Sequence, residues 1–156
     1  MTTFFSLTRM EEYSMALDYH LQALESYQSV AELHEEEEVE AKQVLNLDMA
    51  QTLHNVGHSY AMLGFHDKAV EYLQQALARF NAHYKEPERP RNSTDLLHTL
   101  YQLGLSTHHL GRYREAREHL TQALDLYKRY ERGDHPHISN ILKFLESVCD
   151  KLGDTH

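Results

Sequence analysis

Apolar positions along this chain recur with a helical period. Leu53, Val56, Gly57 and Tyr60 stand at i, i+3, i+4 and i+7, which places them on one face of a helix. Ala69, Leu73 and Ala76 set out a second stripe of the same period just downstream. No segment alternates β-branched and polar residues as a half-buried strand would. The first glycine is Gly57 and the first proline is Pro87, so the opening 56 residues carry neither. That stretch is rich in Ala, Leu, Glu, Gln and Met, all strong helix formers. The pattern predicts an all-α protein.

The stripes occur twice. Residues 52–77 (TLHNVGHSYAMLGFHDKAVEYLQQAL) lie over residues 99–124 (TLYQLGLSTHHLGRYREAREHLTQAL) without a gap, at a shift of 47, with 12 of 26 positions identical. The identities fall on small and apolar residues, among them Gly57/Gly104, Leu63/Leu110, Gly64/Gly111, Ala69/Ala116, Leu73/Leu120 and Ala76/Ala123. Each copy therefore reads as two helices joined at a Leu-Gly turn. Gly64 and Gly111 stand where a left-handed residue ends a helix. Gly57 and Gly104 sit in mid-helix, where glycine costs about 1 kcal/mol against alanine. Close approach of a neighbouring helix is the expected compensation.

With those residues in place, the repeat resembles the tetratricopeptide repeat. Thr107 departs from the resemblance, standing where the family has an aromatic. Residues 13–24 (YSMALDYHLQAL) resemble 66–77, so 12–33 read as the second helix of an earlier unit. Residues 138–154 (ISNILKFLESVCDKLGD) resemble a first helix with no second one following. The spacing from Gly64 to Gly111 is 47 residues and from Gly111 to Gly153 is 42, against about 34 for the standard repeat. Together with RGDHPHISNIL at 132–142, this is similar to the kinesin-light-chain-like subclass of long repeats.

The resemblance implies a right-handed α-α superhelix of antiparallel hairpins, a single domain over 1–156. Its parts would be a partial first hairpin at 1–33, an acidic connector at 34–48, a second hairpin at 49–84, a linker with Pro87 and Pro90 at 85–92, a third hairpin at 93–131 and a terminal helix at 137–154.

Composition narrows the function. Fifteen Lys and Arg against 24 Asp and Glu give a net charge of -9, which argues against a nucleic-acid or anionic-membrane binder. No apolar run approaches the roughly 18 residues of a membrane span. The start, MTTFFSLTRM, lacks the basic and apolar parts of a signal peptide, and a single cysteine, Cys149, fits a reducing, cytoplasmic setting. There is no phosphate-binding glycine loop and no nucleophile-base set, so no enzyme and no cofactor are expected.

By resemblance, ligand contact falls to first-helix positions that line a concave groove. These are His54 and His58, then His98, Tyr101, Leu105 and His109, then Asn140 and Lys143. Such a surface suits an extended peptide or partner helix bound by an adaptor or scaffold. His54 and His58 share a face and could hold a metal, but the glutamate of an HExxH motif is missing, and the plainer expectation is hydrogen bonding with no metal. Only Lys143 fits the pattern of carboxylate-clamp repeats, which excludes that type. The alternative is a structural role. The terminal helix would expose Ile141, Leu142, Leu145 and Val148, and self-association through the end helices would cover them.

Overall fold

Leu-Gly pairs punctuate the helices, and the helices between them are long because little else in the sequence can break them. The computed structural model describes residues 4–33, 39–84, 94–130 and 136–153. Among these lie six helices and no strand: α1 (Phe4–Leu33), α2 (Val39–Met62), α3 (His66–His83), α4 (Thr94–His109), α5 (Tyr113–Tyr130) and α6 (Pro136–Leu152). The chain divides into two compact units, Met1–Lys85 and Glu86–His156. In the first, α2 packs on both α1 and α3; in the second, α4 packs on α5, and α6 packs on α5 and touches α4. This is the all-α, helical-repeat architecture that the periodicity anticipates.

Two boundaries and one open face differ from the sequence reading. The partial hairpin expected at 1–33 is one uninterrupted helix, because Met10, Glu11 and Glu12 continue the pattern of good helix formers with no glycine or proline to end it. The acidic connector expected to run to residue 48 is helical from Val39, so α2 starts well before the hairpin expected at 49. In α6, Ile141 and Val148 are fully buried, and of the four side chains expected on an open face only Leu142 and Leu145 keep exposure. The linker at 85–92, the acidic residues 34–38 and Gly133-Asp134-His135 of the inter-repeat loop lie outside the described residues.

The two hairpin turns are built alike. Gly64 has φ 87° and Gly111 has φ 76°, the left-handed conformation that L side chains resist. At the first turn the Gly64 N–H donates to the Ala61 carbonyl at 3.1 Å and the Phe65 N–H to the Tyr60 carbonyl at 2.9 Å. Gly111 and Arg112 repeat the pair onto His108 and Thr107 at 3.0 and 2.9 Å. These bonds satisfy the last orphan carbonyls of α2 and α4. Phe65 also sets its ring edge-on to Tyr60, 6.3 Å between centroids, closing the first turn with an apolar contact.

Packing between the paired helices turns on the mid-helix glycines. A Cβ added at Gly57 would lie 2.6 Å from Leu73 Cγ, and one at Gly104 would lie 2.5 Å from Leu120 Cγ. Around these points Ala69, Ala76, Ala116 and Ala123 are wholly buried, as are Phe80 and Tyr127 at matching positions in α3 and α5. Thr107, in place of an aromatic, is buried as well, and its hydroxyl donates back to the Leu103 carbonyl at 2.6 Å. The missing ring therefore leaves no orphaned polar group.

Replacing Gly104 by alanine sets an overpacking cost of about 1–3 kcal/mol against a helix-propensity gain of about 1 kcal/mol. Urea unfolding should show Gly104→Ala less stable than wild type by about 1 kcal/mol. In a Leu120→Ala background the clash is gone, and the same substitution should stabilise by up to about 1 kcal/mol.

Candidate functional site

The candidate residues fall on the two units separately. In the first unit α2 carries His54 and His58 one turn apart, and both are partly exposed. Their rings lie parallel, 11° between planes and 6.4 Å between centroids. Tyr13 of α1 meets His58 edge-on at 6.2 Å, so α1 helps to hold the imidazole in place.

The second unit gathers more of them. Tyr101 on α4 is nearly buried, at 7% exposure, and its ring stacks on His137 of α6 at 4.4 Å and 18°. His98 stands one turn before Tyr101 and meets His137 at 5.3 Å. Tyr127 of α5 closes the group with a hydroxyl 2.9 Å from His137 Nδ1. Burial raises the Tyr101 phenol above its ordinary value, while a hydrogen bond with Asn140 pulls it the other way. Asn140 and Lys143 are exposed on α6, Leu105 is partly exposed on α4, and His109 is exposed at the end of α4. His109 meets the ring of its neighbour His108 at right angles, 6.0 Å away.

His137 is the residue that sequence reasoning passed over. It follows Pro136 in the segment used to assign the subclass, and its imidazole joins α4, α5 and α6 at one point. The available signal was its position: the first turn of α6 lies beside the last turn of α5, and a ring there can reach both α5 and α4. A second feature missed is an open groove of about 850 Å³ in the first unit, where Val30 and Ala31 of α1 face Val44, Leu45 and Met49 of α2. Arg79 of α3 closes its edge and donates to the Asn46 side chain. Val30 and Val44 are 43% and 61% exposed. Ala41, Val44, Leu45 and Met49, at i, i+3, i+4 and i+8 after an acidic run, were the sign that this stretch is helix rather than solvated connector.

Two histidines of the second unit, His108 and His119, have lowered pKa values. His108 Nε2 lies 3.2 Å from the Ser147 hydroxyl, and Phe144 and Tyr113 meet the ring edge-on at 5.2 and 5.5 Å. Burial lowers its pKa below 6.5, and the positive charges of His109 and Lys151 add to the effect. Burial also lowers His119, opposed by Glu115 and Glu118. Among the described residues no three His, Cys, Asp or Glu are grouped to hold a metal ion, and no helix is long and apolar enough to cross a membrane.

Two family models, both described as tetratricopeptide repeat, match the chain, one over residues 49–89 and the other over residues 95–156. No curated protein matches it.

A histidine whose folded pKa is lowered contributes stability that is present above its unfolded value and is lost as pH falls through the folded one. Thermal melts should therefore show the melting temperature falling as pH drops below 6.5, the ordinary value for His108 and His119. His119→Gln should flatten that slope, and NMR titration should place both midpoints below those of exposed imidazoles.

Proposed function

We propose that this tetratricopeptide-repeat protein is a non-catalytic recognition module that holds an extended peptide or a partner helix against the first helices of its repeats. Repeats of this family mediate protein–protein interaction, and the chain carries them in both of its units. One observation carries the finer reading. Helix pairing consumes the Gly57 and Gly104 faces of α2 and α4, while His54, His58, His98 and Leu105 lie off those faces and stay partly exposed. These residues offer imidazole donors and acceptors beside apolar surface, and Asn140 and Lys143 add an amide and a positive charge on α6. An extended peptide recognised this way needs few anchors, with polar groups fixing its register.

Three further features fit the reading. Gly64, Gly111 and Gly153 all take positive φ, at 87°, 76° and 73°, so the long 47- and 42-residue spacing counts true helix ends and supports the kinesin-light-chain-like subclass. The single cysteine fits a reducing, cytoplasmic setting for an adaptor or scaffold. The net charge of -9 favours protein over nucleic acid or anionic lipid as the partner.

A peptide-display selection tests this, with the wild type run beside His58→Glu and Lys143→Glu. Wild type should return a shared linear motif, and the variant on the unit that holds it should bind the selected peptides about tenfold or more weakly, as expected when a charge is introduced or reversed at an interface. Selected peptides that bind all three proteins equally would overturn the assignment. Loss of binding on Val44→Asp alone would do the same and would place recognition at the groove between α1, α2 and α3.

A further inference from the structure

The complete repeats show what the two end helices lack. In α2 the face made by Leu53, Val56, Gly57 and Tyr60 turns toward α3: Gly57 meets Leu73, Tyr60 stacks on Tyr72 at 5.5 Å, and Leu53 and Val56 are buried. Placing Gly153 over Gly64 gives the same face in α6 as Leu142, Leu145, Glu146 and Cys149. Those four residues line an open cleft of about 370 Å³, and Leu142 is 48% exposed. The side chains that α6 buries are others, Ile138, Ile141 and Val148. Among the described residues, α6 is a first helix whose second-helix seat is empty.

α1 presents the opposite half. Residues 13–24 align with 66–77, so Ala16, Tyr19, His20 and Ala23 stand where α3 has Ala69, Tyr72, Leu73 and Ala76. In α3, Ala69, Leu73 and Ala76 are wholly buried. In α1 the matching residues keep exposure, with Tyr19 at 70% and Ala16, His20 and Ala23 partly open. The side chains that α1 buries are instead Leu17 and Leu24, and α2 is the helix packed on it. α1 is thus a second helix whose first-helix seat is empty among the described residues.

The two open faces match in register and in chemistry. At the point of closest approach, where an intact repeat sets Gly57 against Leu73, α6 offers Glu146 and α1 offers His20. A glycine facing a leucine has been replaced at both ends by a carboxylate and an imidazole, an acid and a base that can share a proton or an ion pair. A repeat closed there would set its helices further apart than Gly57 and Leu73 do, with the two longer polar side chains spanning the gap.

We propose that the chain assembles head to tail: α6 of one copy docks on α1 of a second copy and completes a repeat between them, with Glu146 paired to His20. The contact is heterologous, because each copy uses a different face at each end, so it propagates into short chains of copies rather than stopping at a dimer. None of the docking residues is one of those proposed to hold peptide, but Lys143 stands one turn before Glu146, so His58→Glu on α2 is the variant that separates peptide recognition from assembly.

Sedimentation velocity over a hundredfold concentration range tests it, on wild type, His20→Glu and Glu146→Lys, each checked for helicity by circular dichroism. Wild type should show a mass that rises with concentration beyond a dimer. His20→Glu alone sets two carboxylates together, and Glu146→Lys alone removes the acid that His20 meets, so each should associate about tenfold or more weakly. An equimolar mixture of the two should recover assembly, because the new lysine then meets the new glutamate and the unchanged ends still meet each other. A wild type that stays monomeric, single variants that assemble as it does, or a mixture no better than either variant would each overturn the proposal.

Discussion

The fold depends on how near two helices can come at one residue. Leu73 and Leu120 fill the space that a side chain on Gly57 or Gly104 would occupy, with less than 3 Å between a notional Cβ and the leucine Cγ. At that separation the helix backbones approach as closely as their side chains allow, and small residues must line the rest of the contact. Ala69, Ala76, Ala116 and Ala123 do so, and all are fully buried. The glycine helix penalty of about 1 kcal/mol is the smaller term, because a well-packed leucine contributes about 1.5–3 kcal/mol on burial.

Most of this architecture was legible in the sequence because the constraint acts on residue type. A helix pair that close accepts only glycine at one position and only small residues beside it, so the signature survives while surface positions vary. Helix ends were legible for the same reason, since Gly64, Gly111 and Gly153 adopt a backbone that other residues resist. The starts of α1 and α2 were harder. Nothing in the residues 4–33 forces or forbids a break near Met10, and an acidic stretch with two valines suits both a loop and the outer turns of a helix. Propensity settled both in favour of helix.

The candidate site was legible only in part. Register alone put His54, His58, His98 and Leu105 on first helices with some exposure, which is where they lie. It gave no warning that Tyr101 would be nearly buried under His137. That contact joins residues 36 positions apart through a turn between α5 and α6, and no periodicity within one helix encodes it. The groove beside Val44 was hidden for a related reason: its apolar walls come from α1 and α2, with Arg79 of α3 at its edge, and α1 contributes only Val30 and Ala31.

The length of α1 has a consequence of its own. Thirty residues at 1.5 Å each make a rod of about 45 Å. From Leu7 to Glu12 every described side chain is exposed, so none of them is buried against a neighbouring helix. A helical segment held only by its own hydrogen bonds is marginal in water, and such turns melt and re-form within about a microsecond. The first part of α1 therefore draws its stability more from helix propensity than from burial. Its amides should exchange with solvent far faster than those near Leu17 and Leu24, which are buried. Anything that settles against those first turns shifts their average helicity, so the amide exchange rates there act as a built-in reporter of contact.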